Sequence, residues 1–309
     1  MKEQQEFLVL RYSLVEEQQR AIGVSPLPSR KGDAILPALG HDREFVLNGV
    51  KYSFVGFSLV VPTLEFVFPE NRFLVGKTAK LKLAHMGTKV PGDIVETRAD
   101  DWIPVLTIVD LEGQYIFVKK DWRFGTPEQT MRALQGGLRE PVLATYNHRV
   151  FVEGVSKKEH FWRVISAHRR FYKLELHLVS PNILETNLRA REALTALREL
   201  FAQDEVGIRL SNESGKLRIP EEPVADYLDY IEKGEGSWGI TTEGLRGGKK
   251  KHSSSENTDT VELSVPSETA IEDERQLELE TGKPAPGRQL TDARMVAEVL
   301  AATVRLRER

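Results

Sequence analysis

The sequence predicts an α+β protein: a strand-rich N-terminal domain, a ferredoxin-like C-terminal domain with split β-α-β topology, and a terminal helix. Up to about residue 155, short apolar runs are separated by Gly, Pro, Asn and Asp, which is typical of strands joined by turns. From residue 156, helical and strand periodicities alternate instead. At 309 residues the chain exceeds a usual single domain. We therefore expect domains at 1–155 and 156–265, an acidic flexible linker at 266–289, and an amphipathic helix at 290–309.

The first half has seven apolar runs that we interpret as strands, at residues 6–14, 45–50, 51–61, 64–68, 73–83, 105–110 and 115–118. Asn48-Gly49 lies between two of them and favours a type I′ hairpin turn, because both residues tolerate positive φ. Residues 111–114 are expected to turn a second hairpin. A helix is predicted from Pro127 to Leu138, with Thr126 as its N-cap and Gly136-Gly137 near its end.

The second half combines short strands with longer helices. Its predicted elements are a helix at 160–167, a strand at 171–179, a helix at 186–201, a hairpin at 206–219, a helix ending at Gly234, and strands at 238–240 and 261–265. In the strand at 171–179, leucines alternate with polar residues, so one face of its sheet should be open. This order of elements suggests the ferredoxin-like topology.

The amino-acid composition limits the cellular compartment that we expect and the kinds of binding site that the chain can form. The chain has no cysteine, which excludes disulfides and cysteine-based zinc sites. Its N-terminus is polar, and no apolar stretch approaches the ~20 residues that cross a bilayer. We expect a cytoplasmic protein without membrane contact. The net charge of −3 means that a nucleic-acid site would require a local basic patch.

The densest positive charge is a predicted loop at residues 246–252, which contains two glycines. Strand alternation places further basic side chains on the predicted open face, next to this loop. The expected nucleic-acid-binding residues are Lys173, Arg209, Lys216, Arg218, Arg246, Lys249, Lys250 and Lys251. The predicted face lacks aromatic side chains, which disfavours sequence-specific reading of bases. A solvated loop between two strands is the alternative interpretation of the lysines.

Standard catalytic and cofactor motifs are absent, so no catalytic residue and no cofactor is assigned. Residues 234–239 match G-x-G-x-x-G, but the preceding strand and following helix of a dinucleotide site are not predicted there. The seven histidines show no local metal-ligand spacing. An acidic cluster, with a lysine downstream, fits a metal-dependent nuclease as an alternative. Its members are Asp100, Asp101, Asp110, Glu112 and Lys120.

Three short segments, residues 72–77, 178–182 and 234–240, resemble uncharacterised bacterial proteins of mobile or phage-defence islands. The resemblance implies a function in association with nucleic acid or as a subunit of an antiviral defence system. It supplies no site residues. The leading hypothesis is a non-enzymatic accessory or sensor protein with weak, sequence-independent nucleic-acid binding. The remaining alternative is a protein-interaction or oligomer-forming subunit that uses the helix at 290–309, although docking of this helix on its own chain is the simpler expectation.

Overall fold

The computed structural model describes residues 2–17, 23–179, 205–244, 247–266 and 286–307. Within these ranges the protein is α+β, as predicted, with two antiparallel sheets. The described strands are β1 (Lys2–Glu16), β2 (Arg43–Leu47), β3 (Val50–Leu59), β4 (Phe73–Val90), β5 (Asp93–Asp110), β6 (Tyr115–Lys119), β7 (His148–Gly154), β8 (Phe171–Val179), β9 (Glu205–Ser211), β10 (Gly236–Glu243), β11 (Lys249–Ser253) and β12 (Thr260–Pro266). The described α-helices are α1 (Leu36–Leu39), α2 (Pro127–Tyr146), α3 (Lys158–Ala167), α4 (Glu221–Glu232) and α5 (Pro286–Arg307).

The first sheet has the order β12-β1-β6-β5-β4-β3-β2, and β7 also pairs with β1. One face is covered by α1 and α2 over a core that includes Tyr12, Phe54 and Leu134. The opposite face is covered by α5 over a second core that includes Phe7 and Phe117. We call this sheet with its three helices the first unit.

Both predicted hairpin turns are confirmed. Asn48 and Gly49 have φ angles of 51° and 78°, as a type I′ turn requires. The turn at 111–114 joins β5 to β6, with Gln114 at φ 56°. The predicted strand at 64–68 is wrong: Phe66 donates its backbone N–H to Thr63 Oγ1 at 3.1 Å, and this local bond competes with strand pairing.

Helix α2 begins where the sequence predicts, but it continues to Tyr146 instead of ending near Gly136-Gly137. A Cβ on Gly137 would lie 2.5 Å from ring atoms of both Phe45 and Phe54. The glycine therefore allows the β2–β3 hairpin to pack closely on the helix, and it does not terminate the helix.

Replacing Thr126 by Ala should lower the free energy of unfolding by about 1 kcal/mol. Thr126 forms a capping box with Gln129, in which each side chain accepts a backbone N–H of the other residue. Urea denaturation of the two proteins measures the difference. Thr126→Ser keeps the acceptor oxygen and should remain near the original stability, so an equal loss in both variants would contradict the capping role.

The second sheet has the order β11-β10-β8-β9, with every neighbouring pair antiparallel. We call this sheet, with α3 and α4 on one face, the second unit; its core includes Phe161, Leu228 and Trp238. The ferredoxin-like topology is not confirmed, since a split β-α-β unit contains parallel strands. The prediction of a second hairpin strand at 217–219 is wrong. These residues form no strand, and after the turn Lys216 makes a single bridge to Phe171. The predicted helix at 186–201 lies outside the described residues.

The chain returns to the first unit after β11. The strand predicted at 261–265 as part of the second domain pairs instead with β1 in the first sheet. Helix α5 then buries Ala293, Val296 and Val299 completely in the core of the first unit. Most of the apolar stripe that suggested a partner is thus covered by the chain itself, whereas Val304 is 47% exposed. None of the described helices is long and apolar enough to span a membrane.

Candidate functional site

Four of the eight predicted basic residues meet on one face of the second sheet. Thr241 of β10 pairs with both Lys173 and Lys251, and Arg209 pairs with Glu175, so their side chains share the face opposite α3 and α4. Lys249 follows the same alternation along β11. We call this surface the basic face and define it by Lys173, Arg209, Lys249 and Lys251.

Lys250 points to the opposite side of the sheet, contrary to the predicted site. Residues 249–251 form a strand and not the predicted loop, so neighbouring lysines alternate between faces. Lys250 pairs with the buried Thr242. Its charge also helps to lower the pKa of His252, after the larger effect of burial.

The other predicted residues lie beside the basic face or beyond the described chain. Lys216 and Arg218 follow the turn after β9 and are exposed. The backbone of Lys216 bridges to Phe171 at the start of β8, which brings it next to the sheet. Arg246 lies outside the described residues.

A β-bulge adds an aromatic side chain that the sequence analysis did not place here. The register of β10 against β8 shifts between Thr241 and Thr242, so Tyr172 has no partner in β10 and the alternation is reset. The ammonium nitrogen of Lys249 lies 4.6 Å from the centre of the Tyr172 ring, a cation–π distance. The basic face therefore carries one tyrosine.

The basic face continues into a cleft of about 320 Å³ between the two units. Its floor is formed by β8 and β10, and its walls are formed by α2, β7 and the segment after β11. The charged residues that line it are Glu128, Arg132, Glu153, Glu175, His177 and Lys251. A cleft of this size accommodates a small polar ligand.

Two carboxylates flank His177 at this cleft. Its Nδ1 lies 3.7 Å from Glu153 Oε1, and its Nε2 lies 2.6 Å from Glu205 Oε2. The Glu153 side chain is 18% exposed, and burial raises its pKa to about 7; Glu205 adds to this rise, while His177 opposes it. A carboxyl with such a pKa exchanges a proton near neutrality.

A buried ion pair fixes the two units on each other near this cleft. Arg11 of β1 is 6% exposed and Glu235, just before β10, is 2% exposed. Arg11 Nη2 lies 3.6 Å from Glu235 Oε1, and Arg11 Nη1 donates to the carbonyl oxygen of Lys233 at 2.5 Å. The walls and floor of the cleft are therefore held together by a specific contact at the junction.

Three members of the acidic cluster that suggested a nuclease form ion pairs within the first unit, while Asp100 and Asp101 are exposed on β5. Asp110 is completely buried and accepts two hydrogen bonds of 2.8 Å from Arg72. Arg72 also pairs with Glu112 at 2.9 Å. Lys120 pairs with Glu6, on β1. Among the described residues, no group of three or more His, Asp or Glu side chains is arranged to hold a metal ion.

Comparison with known proteins gives no relative from which a role can be transferred. No family model, curated protein or solved structure matches the chain. The function must therefore be argued from the geometry and charge of the basic face and its cleft.

Proposed function

We propose that the protein binds nucleic acid without sequence specificity through the basic face. The observation that carries this proposal is the environment of Glu175, one carboxylate among three cations. Lys173 hydrogen-bonds it and lowers its pKa, and the charges of Lys251 and Arg209 lower it further. The face keeps an excess of positive charge after this internal pairing, and a phosphate backbone supplies the missing negative charge.

Tyr172 supports a single-stranded ligand over a duplex. Its ring lies against Lys249 at the end of the basic face. Aromatic rings beside cations stack with unpaired bases of any identity, whereas bases inside a duplex are not available for stacking. We further propose that this binding serves antiviral defence in an accessory or sensor component, on the basis of the three short segments described above, residues 72–77, 178–182 and 234–240.

Replacing Lys249 and Lys251 together by Ala should lower the affinity for single-stranded RNA and DNA several-fold. It should also reduce the slope of log K against log salt by up to about 1.4, because two phosphate contacts are lost. Fluorescence anisotropy with labelled oligonucleotides at low and physiological salt measures both quantities.

The chain supplies a matched control for this experiment. Lys250 lies on the same strand and carries the same charge, but it faces the other side of the sheet. Lys250→Ala should leave the salt slope nearly unchanged. Equal losses at Lys250 and at the pair would contradict the basic face as the contact surface, and absence of binding at both salt concentrations would overturn the proposed function.

A further inference from the structure

The cleft beside the basic face holds a carboxyl group and an imidazole side by side. Glu153, on β7 of the first unit, and His177, on β8 of the second unit, both line it. The 3.7 Å between Glu153 Oε1 and His177 Nδ1 is longer than a hydrogen bond, so neither group is fully satisfied by the other. Glu205 holds the far nitrogen of the ring at 2.6 Å and fixes its orientation.

Lys251 connects this pair to the proposed nucleic-acid interface, because it belongs to the basic face and also lines the cleft. Gly239 lies on the floor between them. A Cβ at this position would lie 3.5 Å from Lys251 Cε and 3.7 Å from Glu175 Oε2, so Gly239 lies where the basic face meets the cleft. A phosphate bound to Lys251 would therefore lie at the cleft that Glu153 and His177 also line.

We propose that this cleft cleaves RNA bound on the basic face, with Glu153 as general base and His177 as general acid. The inference rests on the proposed function and adds a substrate class and a reaction to it. Glu153 takes the proton from a ribose 2′-hydroxyl, and the 2′-oxygen forms a new bond to phosphorus. The bond from phosphorus to the 5′-oxygen breaks, and His177 gives a proton to that oxygen. The products are a 2′,3′-cyclic phosphate and a 5′-hydroxyl, so atoms and charge balance without a further reactant.

The surrounding charges fit this reaction. Lys251 of β11 lines the cleft and offsets the negative charge that builds up on the phosphate oxygens. The negative groups that face the pair are Glu128 on α2, Glu175 on β8 and Glu205 on β9. Glu128 is paired with Arg132 at 2.7 Å, and Glu175 with Lys173 at 2.5 Å, which leaves Glu205 to compensate a protonated His177.

The test is cleavage of a labelled single-stranded RNA by the full chain in buffer with EDTA, followed by mass spectrometry of the ends. We expect products with 2′,3′-cyclic phosphate. An oligonucleotide with one 2′-deoxyribose should remain uncut at that position, a readout that does not depend on the folding of a variant.

Glu153→Gln and His177→Gln should each lower the cleavage rate by about 100-fold or more, with RNA affinity in the anisotropy assay changed less than about twofold. Glu213→Gln, in the exposed turn after β9, is the control and should cleave normally.

The outcomes separate the two proposals. RNA that binds with the predicted salt dependence but stays intact would overturn the catalytic inference alone. RNA that does not bind would overturn the proposed function, and the inference with it. Equal cleavage by the parent protein and Glu153→Gln, or cleavage at the deoxy position, would also overturn the assignment of Glu153 and the 2′-hydroxyl.

Discussion

Replacing Arg72 by Met is expected to lower the free energy of unfolding by about 3–5 kcal/mol, the largest effect that we predict. Arg72 is 5% exposed and Asp110 is completely buried. The substitution keeps much of the side-chain volume but leaves the Asp110 carboxylate buried without its counter-charge. Asp110 keeps the backbone N–H bonds from Glu112 and Gly113, which hold the β5–β6 turn and carry no full counter-charge. Urea denaturation monitored by circular dichroism measures the loss.

A surface ion pair provides the matched comparison. Arg132 and Glu128 pair at 2.7 Å on α2, with side chains 67% and 57% exposed. Arg132→Met should cost well under about 1 kcal/mol, because water already screens this pair. Similar losses for the two arginines would show that burial of the Arg72–Asp110 pair does not determine its contribution.

The second large effect is a dependence of stability on pH through Glu153. Burial raises the pKa of this carboxyl from the ordinary value of 4.5 to about 7 in the folded chain. The folded state therefore binds the proton more tightly than the unfolded state, so the contribution is fully present below about pH 4.5 and is lost as the pH rises through about 7. Two and a half pH units correspond to roughly 3 kcal/mol, at about 1.4 kcal/mol for each unit.

The difference between the parent protein and Glu153→Gln isolates this group. Urea denaturation across pH 4 to 8 should show that the parent protein loses about 3 kcal/mol more than the variant over this range. Parallel stability curves for the two proteins would mean that Glu153 titrates alike in the folded and unfolded chains.

Much of the fold could be predicted where local signals are strong. The bounds of β8 follow from the uninterrupted alternation of leucines with polar residues, and the start of α2 follows from its capping residues. The extension of β4 and β5 to residues 90 and 93 was missed; the side chains of residues 93–96 at the start of β5 are all exposed, so burial imposes no alternation on that segment. Strand β7 was also missed, although Val150 and Val152 alternate within it and offered a signal.

The sequence predicted several residues of the candidate site, but it did not predict how they are arranged. The basic residues could be named, but their distribution between faces depended on β11 being a strand and on the bulge at Tyr172. Glu153 and His177 lie on different sheets, and the packing of the two units brings them together. Such a contact has no period or spacing in the sequence.

The pairing of β12 with β1 has a consequence for how the protein is made. Synthesis proceeds from the N-terminus, so β1 emerges long before the strand and the helix that complete the first unit. Until residues 260–266 and 286–307 leave the ribosome, apolar side chains of β1 such as Phe7 and Val9 lack part of their cover. The first unit therefore depends on contacts of very long sequence separation, which slow folding and expose strand edges to aggregation. A nascent chain stalled before residue 260 should be a far better chaperone substrate than the finished protein.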